Sequence, residues 1–195
     1  QIEAIKALQF PPGSDFLYGN LNIVLRAMLV EAITSGTFQS YLATNVFAPA
    51  GMDNSINPAS FAEMGDNRVE KQDINAINGV TFFSTSYDIY RFEQAIWQQK
   101  LVSRTSVLNS LFGDDKSGSF QRARYDFGRY FLDEHNEVIG WEHDGSASPD
   151  HHAIKYHDLK AGKIIVLMSS NSDKPTLFDL RAKLVQLLKG KEVEA

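Results

Sequence analysis

Apolar residues recur every third or fourth position through the first half of the chain and close to every second position through much of the second. Leu21, Val24, Leu25, Met28, Leu29, Ala32 and Ile33 mark one wide side of a helix over 21–34, predicted to be buried and to end at Ser35-Gly36. Ile2, Ile5 and Leu8 predict a short helix over 2–9, stopped by Pro11-Pro12. Phe38, Tyr41, Leu42 and Val46 predict another, closed by Pro49 and Gly51. Residues 53–80 are rich in Asn, Asp and Pro, which predicts loops with one short helix near Pro58–Met64. Ser86 is placed to cap a helix reaching about Gln99, with Ile89, Phe92, Ala95 and Ile96 inward, and 105–112 reads as a further helix.

Beyond the turn at 113–118 the period shortens. Residues 125–132, 138–142, 153–157 and 163–169 read as strands, with turns at 135–137 and 159–162. Short connections favour antiparallel pairing. An amphipathic helix over 177–188 closes the chain. The expectation is one α+β domain, mainly helical over 1–120 and a meander with a terminal helix over 121–195.

The 195 residues are enough to bury a sizeable core, and 43% hydrophobic with 22% charged residues is ordinary for a globular protein. A net charge of −5 with scattered Lys and Arg argues against a nucleic-acid partner. With no cysteine there are no disulfides, thiol catalysis or zinc–thiolate sites. No apolar run approaches the length of a membrane span; the longest, Ile164–Met168, is strand-sized.

Two short segments carry candidate chemistry. In Pro11–Asn22 a Pro-Gly turn leads to Tyr18-x-Asn20 at the mouth of the 21–34 helix. A phenol for proton transfer and an amide donor at i, i+2 can share one cleft, although the same residues also fit a helix-capping loop with Asn20 as N-cap. The second is His143-Asp144-Gly145-Ser146, where Gly145 would let a ligand approach the backbone, or which is a plain turn with a surface histidine. His151, His152 and His157 cannot all converge from one strand, and without a His-Glu-x-x-His pattern we expect no metal site. No phosphate-cradling glycine loop is present, and no cofactor is expected.

Taken in order, these segments resemble the serine β-lactamase and penicillin-binding protein family in its class C and esterase-like branch. The resemblance runs from Pro12–Asn20 through Tyr41-Leu42 and Val46–Met52. It continues with Phe83-Ser84-Thr85-Ser86-Tyr87-Asp88-Ile89, similar to the Tyr-Ser-Thr-x-x-Asp-Leu helix start, and Lys100-Leu101-Val102-Ser103, similar to a Gly-Lys-Leu-Leu-Ser turn. His143–Ser146 stands where the family carries Lys-Thr-Gly or His-x-Gly, and Ile164–Asn171 resembles its closing strand. Val80-Thr81 in place of Gly-Gly, and Asp150 in place of the glycine after Pro149, depart from the pattern close to the expected cleft.

The resemblance implies a β-lactamase/transpeptidase-like fold, incomplete at its N-terminus, because no serine here has lysine three residues on. It implies a hydrolase opening an amide or ester through an acyl-serine intermediate, the substrate being a β-lactam, a peptidoglycan peptide or a small ester. Tyr18 would exchange a proton with the attacking serine or the leaving group, Asn20 would hold the substrate amide or the lysine of the family's Ser-x-x-Lys motif, and His143 would contact a substrate oxygen. The Ser146 backbone N–H would serve the oxyanion, with Asp144 and Gly145 alongside as substrate-binding residues. This chain alone is expected to be inactive. The rival expectation is a non-catalytic binding module on the same fold, and a third is a subunit completed by another chain. Small-molecule or peptide substrates, self-association through a bared sheet edge, and an extracytoplasmic location complete what the resemblance implies.

Overall fold

The computed structural model describes residues 7, 9–12, 14, 19–56, 82–107, 129–135, 137–146, 151–170 and 173–191, with only the backbone of Asn20 and Arg129. The helix predicted over 2–9 falls almost wholly outside these residues, and where Ala7, Gln9 and Phe10 are described they form bends. The loops and short helix of 57–81, and the segment 108–128, also lie outside them.

Helix α1 (Asn20–Thr34) begins with Gly19 in the N-cap position, so Asn20 is its first helical residue rather than its cap. It ends where expected: Ser35 adopts the left-handed region at φ 55° and returns its N–H to Glu31 O. The expected buried face is corrected. Leu25, Met28, Leu29 and Ile33 are exposed, Ile33 to 81%, and Ala27 is the buried residue of this helix. Periodicity fixes which side of a helix is apolar but not what stands opposite it.

Helix α2 (Phe38–Leu42) is capped by Thr37, whose side chain accepts from Ser40 N–H. It runs on through a π-helical turn (Ala43–Phe47) into α3 (Ala48–Ala50), so Pro49 does not close the segment as expected. Pro49 follows directly on the π-helical turn, and Gly51 at φ 71° makes the stop.

Helix α4 (Ser86–Trp97) is capped by Thr85, one residue before the expected Ser86, through acceptance from Asp88 N–H at 3.1 Å. Asp88 holds the N3 position of a capping box, yet its fully buried carboxylate turns outward from its own helix. It accepts from Asn54 N–H at 2.7 Å and from the Ser55 hydroxyl at 2.9 Å, so the chain after α3 is tied to the start of α4. A bridge between Ile56 and Phe83 continues that tie.

Four strands form one antiparallel sheet in the order β1 (Arg129–Leu132), β2 (Val138–Ser146), β3 (His152–Asp158), β4 (Lys163–Ser169). The meander matches the expectation, but β2 continues four residues past the predicted 138–142 and takes in His143–Ser146. Helix α5 (Lys174–Leu188), capped by Asp173, starts three residues earlier than predicted.

Alternation along β2 sorts the two layers. Trp141 reaches Glu93 of α4, whereas Glu142 and Asp144 reach Arg181 and Lys174 of α5, so the helices cover opposite faces. One apolar cluster, Ile96, Val107 and Trp141, lies between α4 and the sheet. A second, Phe47, Ala50, Met52 and Ala95, joins α4 to the preceding helices. Successive residues of α4, Ala95 and Ile96, thus supply both clusters. Among the described residues no single helix is long and apolar enough to cross a membrane.

The two glycines of β2 differ sharply. A Cβ on Gly140 would stand 2.5 Å from the His157 carbonyl oxygen, a backbone atom that cannot step aside, whereas a Cβ on Gly145 meets nothing within 4 Å. We predict that Gly140→Ala lowers stability by about 1–3 kcal/mol in urea unfolding and that Gly145→Ala changes it by less than about 0.5 kcal/mol. Equal losses at the two positions would contradict this account of the strand.

Candidate active site

Burial falls steadily along β2: Gly140, Trp141 and Glu142 are buried, His143 and Asp144 half-buried, Gly145 and Ser146 exposed. The strand therefore leaves the core in the direction of the predicted motif. Pleating puts His143 and Gly145 on the α4 face and Asp144 and Ser146 on the α5 face.

Under His143 lies a charged cluster. Glu93 of α4, with no exposed surface, receives the Lys155 ammonium on Oε1 and the Trp141 indole N–H on Oε2 at 3.2 Å. His157 Nδ1 lies 3.4 Å from the same Oε2. Lys155 is the register partner of His143, and His157 that of Trp141, so three sheet residues converge on one helix carboxylate. The imidazole of His157 packs at 4.5 Å from the Trp141 ring and 5.9 Å from the Trp97 ring, centroid to centroid. Trp97 is stacked in turn by the Arg104 guanidinium at 4.7 Å.

Burial alone would push the Glu93 carboxyl up, but the Lys155 ammonium and the His157 hydrogen bond outweigh it and hold the pKa at about 2. Its stabilisation is therefore complete above the ordinary carboxylate value and is lost as pH falls through about 2.

The α5 face of β2 is fixed by separate contacts. Glu142 pairs with Arg181 at 3.1 Å, and Asp144 with Lys174 at 2.7 Å. Ser146 Oγ lies 2.9 Å from His152 Nδ1. The side chains of Asp144 and Ser146 are thus engaged on the face away from His143.

The backbone of Ser146 faces elsewhere. Leu159 N–H donates to Ile139 O, so by the antiparallel alternation the odd-numbered residues of β2 bond to β3 and the even-numbered ones turn toward β1. Pairing with β1 extends only to Glu142, so the Ser146 amide points past the last β1 partner described.

Of the six residues singled out in the sequence, His143 and Gly145 share the open end of one face, with the Ser146 amide at its edge. Tyr18 and the Asn20 side chain lie outside the described residues. The three histidines are distributed as strand geometry requires: His157 faces α4, His152 faces α5, and His151 precedes the strand. Among the described residues no group of three or more His, Asp or Glu could hold a metal ion.

Glu93 and Lys155 were missed in the sequence. Glu93 reads as a solvated position in a helix, and only its spacing of three from Ile96 and one from Phe92 hints that it lies inward.

The family model for β-lactamase matches residues 4–189. The chain belongs to the β-lactamase family. It is 23% identical over 144 residues to "Penicillin-binding protein 4*" of Bacillus subtilis (strain 168), an alignment spanning 61% of this chain and 32% of that protein. Its fold matches a penicillin binding protein from Bacillus halodurans with TM-score 0.75 and 19% identity, over 93% of this chain and 59% of that one. D-amino acid amidase from Ochrobactrum anthropi SV3, complexed with L-phenylalanine amide, matches with TM-score 0.67 and 17% identity over 95% of this chain and 61% of that one. The chain thus spans about a third of the curated relative and about three fifths of these two solved structures. The helices, the four-stranded antiparallel sheet and the C-terminal helix are those of a β-lactamase/transpeptidase-like fold.

Glu93→Gln leaves the Lys155 ammonium in a closed site without its counter-charge. We predict a loss of about 3–5 kcal/mol by urea unfolding at pH 7. The wild-type chain should also lose about 3 kcal/mol between pH 5 and pH 2, a loss that Glu93→Gln reduces. Identical acid profiles for the two proteins would refute the ion-pair account.

Proposed function

We propose that this chain is part of a serine hydrolase that opens an amide or ester through an acyl-serine intermediate, with the attacking serine supplied from outside these 195 residues. The observation that carries the reading is the emergence of β2 from the core, with His143 and Gly145 on one open face and the Ser146 amide at its edge. Membership of the β-lactamase family supports it, as do the amidase and penicillin-binding names of the relatives.

In this reading the serine oxygen attacks the substrate carbonyl carbon, and the carbonyl electrons move onto oxygen. The Ser146 N–H donates to that oxyanion, a contribution worth about 2.7–4 kcal/mol when aimed at the tetrahedral intermediate. Collapse expels the amine or alcohol, which takes up a proton, and water then releases the acyl group. His143 contacts a substrate oxygen from the same face. Tyr18 and Asn20 act from the loop before α1, Tyr18 exchanging the proton and Asn20 holding the substrate amide. A phenol needs nearby positive charge to act as a base at neutral pH, and in the family the lysine of Ser-x-x-Lys supplies it. Tyr18 therefore gains its role only when that lysine is present. Candidate substrates are a β-lactam, a peptidoglycan peptide, a small ester or, from the amidase likeness, an amino acid amide.

Self-association is part of the same proposal. β4 is the outermost described strand, Lys163-Ile164-Ile165-Val166-Leu167-Met168-Ser169, with one charge at its end, and such an edge invites pairing with another copy.

The test is turnover of a chromogenic cephalosporin and of D-phenylalanine amide. The 195-residue chain should give none above buffer. The same chain joined to an upstream segment bearing Ser-x-x-Lys should form an acyl adduct visible by intact mass, with kcat/KM falling about 10- to 1000-fold in His143→Ala. An upstream-extended protein that binds these compounds without forming the adduct would instead be the non-catalytic module.

A further inference from the structure

The end of β2 is held by its backbone pairing, Gly145 with Ala153 and Ser146 with His152, and by side-chain contacts on the α5 face. On the α4 face a Cβ at Gly145 would meet nothing within 4 Å. On the α5 face the two last alternate side chains are both engaged: Asp144 with Lys174 at 2.7 Å, and Ser146 Oγ with His152 Nδ1 at 2.9 Å. Lys174 is itself placed, 5.6 Å over the ring of Phe178, one helical turn further along α5, a ring that the Arg181 guanidinium also approaches at 5.7 Å.

The chemistry of the second contact can be assigned. His152 is buried, and its Nε2 makes no hydrogen bond. A buried N–H without an acceptor costs more than a buried lone pair, so the neutral ring carries its proton on Nδ1 and donates to Ser146 Oγ. The Ser146 hydroxyl is then a tethered acceptor and not an activated nucleophile.

We propose that Lys174, through Asp144, and His152, through the Ser146 hydroxyl, are positioning residues that fix the Gly145–Ser146 peptide so that its N–H keeps one direction along the strand edge. The proposal rests on the acyl-transfer reading for the use of that N–H, but the positioning itself is a property of this chain. An oxyanion donor works only within about 2.7–3.1 Å of its target, so a strand end held by its β3 pairing alone, with glycine next to its last residue, would spend much of its time misaimed. The Asp144–Lys174 pair is partly exposed, at 18% and 44% of the two side chains, so removing it should loosen the strand end without unfolding the sheet.

Backbone ¹⁵N relaxation of the 195-residue chain tests this without any turnover. In the wild type the Ser146 N–H should show an order parameter of about 0.85, as in rigid backbone. Lys174→Met should lower it below about 0.6 while the amides of β3 and β4 and the melting temperature stay unchanged, and Lys174→Arg should restore it. His152→Phe, which keeps a ring but no donor, should give the same local loss. An unchanged Ser146 order parameter in both variants overturns the proposal, as does a loss spread evenly over the sheet. Because no substrate is involved, either result stands whether or not the extended protein proves to be a hydrolase.

Discussion

A single carboxylate with no exposed surface, that of Glu93, joins the helical layer to the sheet. An unpaired charge in that position would be prohibitively costly, so the fold is committed to bringing Lys155, His157 and the Trp141 indole to it together. Those partners come from two strands and pair in register, which means that the carboxylate reports on strand register as well as on helix placement. A one-residue slip of β2 on β3 would turn Trp141 or Lys155 to the α5 face and leave Glu93 uncompensated.

From that anchor the position of the candidate site follows. His143 lies across from Lys155 on the same face, two residues beyond Trp141, and is half-buried. The same strand is held from behind by ion pairs to α5, at Glu142 and Asp144. Alternation thus divides His143–Ser146: His143 and Gly145 stand on one face, and on the other Asp144 and Ser146 are attached to Lys174 and His152. A glycine at 145 fits this division, since a side chain there would stand in the space a ligand would enter.

How much of this was legible in the sequence depended on how local the cause was. The β3–β4 hairpin and the C-terminal ends of α1 and α5 were readable because turn residues and short-range periodicity decide them. Strand β2 was ended too early because His143-Asp144-Gly145-Ser146 reads equally as a turn. These are in fact strand residues, and Asp144 is paired with Lys174 from a helix thirty positions away. The exposed apolar side of α1 was misread for the converse reason, since periodicity cannot say whether a partner surface is present. Glu93 carried no usable signal: its partners stand 48 to 64 residues away, and only the fold brings them together. The family resemblance singled out His143–Ser146 along the chain, whereas the separation of their side chains onto two faces required the strand geometry.

The claim on which these relations rest is that Glu93 is ionised and enclosed by its three partners. Side-chain carboxyl ¹³C chemical shifts followed from pH 7 to pH 1.5 in the intact chain test it directly. The account predicts that the Glu93 signal holds its ionised shift well below pH 4 and moves only near pH 2. A Glu93 signal that titrates near 4.5, with the exposed glutamates, would contradict it.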